Sequence, residues 1–295
     1  MSKAPVKTAN PLPRPLPHRR VLALAALAAL STLLAWPLTS ARADEAVSDA
    51  QAQAWLARSD QIRNLPGSFA LRNTLTEFRH GKQSAQSVLT VFARPAASGG
   101  QFDNLIRFES PARDHGKLML RNGLELWFYD PSTRASVRIS PQQRLLGQAS
   151  NGDVMSTRLA RDYTASFVQR ETVRDGDRQE RATLQLKLLA QRGDVPYAAI
   201  DYWIDASSHR PVMARYRSAE GRLLKTAYFR KYQDVLGEQR PTETVIIDGM
   251  NPDWVTLMTQ SQHRLQDIPA AWMQRDYLPR FTGEAASATP AQARP

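Results

Sequence analysis

The side chains that most often carry catalysis or hold a metal are thinly spread along this 295-residue chain. Its five histidines, His18, His80, His115, His209 and His263, show neither a His-x-His nor a His-Glu-x-x-His spacing, so no two are set on one element to bind zinc. There is no cysteine, which removes disulfides, thiol nucleophiles, Cys-ligated metal and an acyl-cysteine anchor. Neither a Gly-x-Ser-x-Gly elbow nor a Walker A loop occurs. One carboxylate pair remains. Asp201 and Asp205 flank Trp203 at strand spacing and on one face, where two acids could divide general acid and base roles. That face is equally the solvent face of a half-buried strand. Arg134, Arg138 and Arg144 form a positive group that suits anionic lipid headgroups and general solubility equally well. The expectation is therefore no catalytic residue, no metal and no cofactor; a hydrolase built on Asp201 and Asp205 is the last alternative.

These residues belong to a chain of two compositional parts. Met1 to Ala43 holds Lys3, Lys7, Arg14, Arg19, Arg20 and Arg42 and no acid, so about half of the +11 net charge sits there. The apolar run from Val21 to Leu30 continues through Leu33, Leu34 and Trp36 and ends at Ala41-Arg42-Ala43. A basic segment, an apolar segment and a small-x-small cut site, in that order, make an export signal. A retained anchor is the alternative, because Val21 to Leu38 reaches the lower length limit of a spanning helix; the alanine content and the Ala-x-Ala ending favour cleavage near Ala43. Arg19-Arg20 permits twin-arginine export, but His18 and Val21 fit that motif poorly, and the general secretory route is expected. The chain then divides into a signal peptide over 1–43, a folded domain over 44–281 and a disordered tail over 282–295, with a periplasmic location. Export and the lack of a recognised module disfavour nucleic acid as a partner.

At 42% hydrophobic and 23% charged residues the folded part can bury a core. From Ser48 to Leu65 the apolar positions Trp55, Leu56, Ile62 and Leu65 recur at helical spacing, with Ser48 as N-cap. After Pro66-Gly67 the period falls to two. Phe69, Leu71 and Leu75 alternate with Ala70, Arg72 and Thr74, and Phe102, Ile106 and Phe108 with Asp103, Arg107 and Glu109. Similar runs follow at 117–121, 124–129, 135–139, 184–188, 198–204, 212–217, 223–232, 243–248 and 255–265, and Asn122-Gly123 marks a hairpin. About eleven strands at short spacing predict a mainly β fold, a single antiparallel meander.

One such sheet has an apolar face too large to leave in water and few helices to cover it. It should curl into a strongly curved half-barrel around a helical plug or lid, leaving a partly filled cavity. Phe69, Leu71, Leu75, Phe108, Trp127, Leu186, Ile200, Tyr202, Ile204 and Tyr216 are the expected wall, although each is equally a plain core position. The irregular stretch from Ser140 to Ala165 interrupts the meander, and its Gly147, Asn151, Gly152, Asp153 and Met155 are expected in a functional loop or lid. A concave apolar wall suits acyl chains, since each buried methylene contributes about 0.8 kcal/mol and a long chain on the order of 10 kcal/mol.

The runs Arg107 to Leu120, Leu126-Trp-Phe-Tyr-Asp-Pro131, Val137-Arg-Ile-Ser140 and Leu146 to Asp153 resemble the outer membrane lipoprotein-sorting proteins, relatives of the periplasmic carrier LolA. Tyr202-Trp-Ile-Asp-Ala206, Pro211 to Tyr216, Gly221 to Lys225 and Phe229 to Tyr232 continue the likeness, which covers about Leu71 to Tyr277. The resemblance implies an unclosed, curved β half-barrel with helices in its mouth. It also implies a non-enzymatic periplasmic carrier or chaperone for lipid or lipoprotein acyl chains, served by an inner-membrane transporter and an outer-membrane acceptor. A sensor that reads lipid or lipoprotein and signals to a membrane partner is the alternative. Many relatives carry a Phe and a Ser-Asp-Phe segment after the arginine-isoleucine strand; here Leu145-Leu146-Gly147 and Asn151 to Met155 stand instead, which marks a variant branch.

Overall fold

A computed structural model describes residues 47–283. The expected signal peptide and the last twelve residues of the expected tail lie outside the described residues. Helix α1 (Asp49–Arg63) begins where the sequence places it: the Ser48 hydroxyl accepts the Gln51 N–H at 3.2 Å, and Ala52, Leu56 and Ile62 face the core.

Thirteen strands follow in one antiparallel sheet. They are β1 (Phe69–Arg79), β2 (Lys82–Pro95), β3 (Phe102–Ser110), β4 (Leu118–Asn122), β5 (Glu125–Asp130), β6 (Ala135–Arg138), β9 (Tyr163–Arg174), β10 (Glu180–Ala190), β11 (Ala199–Asp205), β12 (Pro211–Arg217), β13 (Leu223–Val235), β14 (Glu238–Asp248) and β15 (Trp254–Leu265). The small hairpin of β7 (Arg144–Leu146) and β8 (Ala149–Ser150) lies between β6 and β9. The spatial order is β6-β5-β4-β3-β2-β1-β15-β14-β13-β12-β11-β10-β9. The chain thus starts in the middle of the sheet, winds out to one edge, crosses to the opposite edge, and winds back. There β15 pairs with β1, Leu75 opposite Met258. The sheet is curved, and it is open because β6 and β9 do not pair with each other.

One face carries two apolar clusters. Phe69, Leu71, Leu75, Val91, Phe102, Ile106, Met119, Ala227, Ile246 and Met258 form one; Leu184, Leu186, Leu188, Ile200, Tyr202, Ile204 and Ala214, under Leu56 of α1, form the other. The opposite face of β1 to β5 is also covered. Ala70, Phe92, Leu105, Leu118, Leu120 and Tyr129 pack against Ile268, Trp272, Met273 and Leu278 of the C-terminal segment, which forms two short 3₁₀ turns at Ala270–Met273 and Arg275–Arg280.

That second layer hides one strand from the sequence pattern, and exposure at the sheet edge hides another. In β2 the run from Val88 to Phe92 is apolar or buried on both faces, so it does not alternate, and β2 was not foreseen. In β9, at the sheet edge, most positions from Thr164 to Arg174 are exposed or half-buried, so the apolar face is too sparse to read. The count is thirteen strands and a hairpin rather than about eleven. The β4–β5 turn is also shifted by one residue: Asn122 pairs with Glu125, and Gly123, at φ 58°, and Leu124 make the bend.

Candidate functional site

The segment 139–162 that joins the two sheet edges passes over the concave face instead of around the outside. It contains the β7–β8 hairpin, a 3₁₀ turn at Asn151–Val154 and the one-turn helix α2 (Leu159–Asp162). Ala149, Ser150, Asn151, Val154 and Met155 are buried, and Ala149, Val154 and Met155 join the cluster of Phe69 and Leu71.

A buried irregular segment needs partners for its peptide groups. The strands supply them from inward positions that the apolar alternation would assign to Leu or Val. Asn73, between Leu71 and Leu75, donates to the Val154 carbonyl at 3.3 Å. Asn104, between Phe102 and Ile106, donates to the Ser156 carbonyl and accepts the Ser156 N–H, at 3.0 and 2.9 Å. The Thr256 hydroxyl accepts the Gln148 N–H at 2.7 Å; from outside the sheet Asn64, the C-cap of α1, donates to the Thr157 carbonyl at 3.0 Å.

A buried charge adds to these anchors. Lys225, 4% exposed on β13, donates to the Gln148 carbonyl at 3.0 Å and pairs with Asp153. Asp153 also accepts the Tyr197 hydroxyl at 2.7 Å, the Ser150 N–H at 2.7 Å and the Ser150 hydroxyl at 3.0 Å. Burial pushes the Lys225 ammonium below its ordinary value against the pull of Asp153. Burial raises the Tyr197 and Tyr216 hydroxyls, so both remain neutral beside it.

Between this segment and the strands lies a cavity of about 110 Å³. Leu65, Phe69, Leu71, Ala227, Phe229, Ile246 and Met258 form its apolar side; Gly152 to Thr157 close it, and Arg63, Arg240 and His263 stand at its polar end. Asp60 on α1 accepts the Ala160 N–H at 2.8 Å and so ties the helix to α2. Arg240 caps the same C-terminal end of α1: its Nη1 donates to the carbonyls of Gln61, Ile62 and Asn64 at 2.7, 2.8 and 2.6 Å, which a helix C-terminus leaves without partners. Arg240→Met should destabilise the fold by about 2–3 kcal/mol in urea unfolding. Arg58→Met, which removes an exposed pair with Glu238, should cost under about 0.5 kcal/mol. Equal losses would mean that Arg240 is not the clasp of α1.

Of the expected wall residues, the cavity brings together Phe69, Leu71 and Tyr216. Leu75 and Phe108 lie deeper in the same cluster. Leu186, Ile200, Tyr202 and Ile204 lie beneath α1, where the Tyr202 hydroxyl meets that of Ser59 at 2.9 Å. Trp127 is on the opposite face, with Leu120 across the strand pair and the Arg275 guanidinium 5.0 Å from its ring; Leu126 and Phe128 are the inward residues of that strand. Of the expected loop residues, Gly152, Asp153 and Met155 line the cavity. Asn151 is buried beside them and donates to the Ser140 carbonyl at 2.9 Å. Gly147, at φ 54°, lets the chain pass so close to Glu77 and Thr256 that any side chain there would collide.

The carboxylate pair has a different explanation. Lys187 and Arg217 bond Asp201 at 2.8 and 2.6 Å and hold its carboxyl below the ordinary range despite burial. Burial would raise the Asp205 carboxyl, but hydrogen bonds from Ser207 and Ser208 outweigh it and bring it to about 2. Neither is a poised acid. Arg138 pairs with Glu125 at 3.4 Å, Arg134 occupies a left-handed turn, and Arg144 faces Gln148. His80 pairs with Asp253 at 3.3 Å, His115 bonds the Glu109 carbonyl at 2.9 Å, and His209 stacks on Trp55. Among the described residues no His, Asp and Glu group is placed to hold a metal ion.

Residues 100–280 match a family model described only by the words "Uncharacterized protein". No curated protein sequence matches the chain. A LolA superfamily protein from Nitrosomonas europaea is similar at 27% identity and a TM-score of 0.69, over 77% of this chain and 98% of that one. An outer membrane lipoprotein-sorting protein domain from Vibrio parahaemolyticus shares the fold at 16% identity and a TM-score of 0.67, over 79% of this chain and all of that one. A DUF1329 family protein from Desulfovibrio piger does so at 19% identity and 0.66, over 78% and 98%.

Proposed function

We propose, from the LolA-like superfamily fold of a chain that belongs to the family whose model spans residues 100–280, that this protein is a periplasmic carrier of lipid or lipoprotein acyl chains. The observation that supports this reading is a cavity between the concave apolar face and a segment of the chain itself that closes it. At about 110 Å³ it is smaller than the roughly 150 Å³ cavity that holds one benzene ring, so a long acyl chain enters only if the segment leaves. Val154 and Met155 then give up apolar contacts that the cargo replaces. Uptake and release trade like for like, and the exchange runs near balance in both directions. The reading calls for an inner-membrane donor, an outer-membrane acceptor and export with cleavage near Ala43.

The test uses the absence of cysteine. A Cβ at Gly152 would stand 3.1 Å from the Cβ of Pro196, which lies between β10 and β11, close to the roughly 3.5–4.5 Å of a disulfide. In the Gly152→Cys, Pro196→Cys variant, oxidation should lower the affinity for a fluorescent long-chain fatty acid more than about tenfold, and reduction should restore it to that of the unmodified protein. The reduced protein serves as the folding control. An oxidised variant with unchanged affinity would remove the segment from the mechanism, and a parent protein that binds no acyl probe would remove the carrier reading.

A further inference from the structure

A second pocket, of about 240 Å³, lies on the other side of Tyr197, which lines both spaces. Its walls are short of hydrogen-bond acceptors. Arg144, Arg222 and Lys225 bring three cations to it. Asp153 pairs with Lys225, but among the described residues neither Arg144 nor Arg222 has a carboxylate within ion-pair distance. Gln148, 7% exposed, also lines the pocket, and its amide nitrogen donates to nothing. Its amide oxygen faces the Arg144 guanidinium at 3.5 Å, so turning the amide over would set donor against donor and leave the deficit in place. Asp248 is the one acid on the rim, and its Oδ1 is taken by the N–H groups of Met250 and Asn251 in the β14–β15 turn.

A buried donor with no acceptor is costly, and a group with several acceptor oxygens and negative charge removes that cost while matching the two guanidinium groups that have no carboxylate partner. We propose that this pocket binds a phosphate group, held by Arg144, Arg222, Lys225 and Gln148, as the headgroup of an acidic lipid whose chain enters the neighbouring cavity. The phosphate site stands on its own donors; the lipid source rests on the carrier reading. Tyr197, its hydroxyl bonded to Asp153, is the partition between the polar and apolar halves.

The experiment compares dihexanoyl phosphatidic acid, dihexanoylglycerol and inorganic phosphate as ligands of the full chain and of its Arg144→Gln, Arg222→Gln variant, by calorimetry at low salt. The substituted arginines are at the pocket rim rather than in the apolar clusters, and unchanged binding of dihexanoylglycerol checks the fold. The phosphatidic acid should bind the parent at least about tenfold more tightly than the neutral lipid, the size of one or two charge-assisted hydrogen bonds. The variant should reduce that ratio below about threefold, and inorganic phosphate should compete. Equal affinity for the two lipids, or a ratio untouched by the variant, overturns the phosphate site while leaving the carrier reading intact. Binding of phosphate to the parent alone, with neither lipid bound, keeps the site as one for free phosphate and removes the carrier reading. Binding of none of the three overturns both.

Discussion

Lys225→Met should destabilise the protein by about 3 kcal/mol in urea unfolding at pH 7, more than any surface charge. The ammonium is nearly inaccessible to water and, like the Asp153 carboxylate, has given up its hydration. Removing one partner of such a pair leaves the other buried and uncompensated, a loss of roughly 3–5 kcal/mol, whereas removing both is often close to neutral. Asp153 keeps the hydroxyls of Tyr197 and Ser150, which places the expected figure at the lower end. In Lys225→Met with Asp153→Asn the carboxylate is gone while its shape remains, so the double variant should recover about 2 kcal/mol of the loss. Additive losses would show that the pair does not fasten the crossing segment.

The second large effect has the opposite sign. Asp60→Asn should stabilise the protein by about 3 kcal/mol at pH 7.5 and change it little at pH 4. Burial raises the Asp60 carboxyl from 3.8 to about 6, against the attraction of Arg63 and the N–H of Ala160, and one of its oxygens has no partner. The folded protein therefore holds this proton more tightly than the unfolded chain does. The stability that follows is fully present below about pH 4 and is lost as pH climbs through 6. Above that range the native state contains a costly ionised group, and about two pK units correspond to about 3 kcal/mol. Asparagine can still accept from Ala160 and never ionises. Urea curves at pH 4, 5.5 and 7.5 should show the gap between variant and parent opening with pH; a constant gap would mean that Asp60 is ionised throughout.

The strand alternation was legible because one face of most strands meets water and the other does not, and α1 because Ser48 and the spacing of Leu56 and Ile62 agree. Trp127 was misplaced because its strand is apolar on both sides, Leu126 and Phe128 inward and Trp127 and Tyr129 against the C-terminal segment. Nothing in that strand says that Trp272 and Leu278 will arrive from far along the chain to cover it. The anchors of the crossing segment did leave a signal. Asn73, Asn104 and Lys225 are polar residues in phase with buried apolar neighbours, and each meets a peptide group or charge of residues 148–156. Read as defects of the pattern they mean little; read as partners for a buried backbone they mark where it docks. Asp60 and Arg240 left no such mark, since their roles depend on where α1 ends against β14 and α2.

An open wall has two rims, and each rim is a row of peptide groups on which a strand of another molecule could grow. A closed barrel has none. Here one rim is β6, only the four residues Ala135–Arg138; the other is β9, whose outer half carries Arg170, Glu171 and Arg174. Shortness at one side and charge at the other discourage strand addition. A sheet that stays unclosed to surround a cavity is thereby kept from polymerising through its own edges.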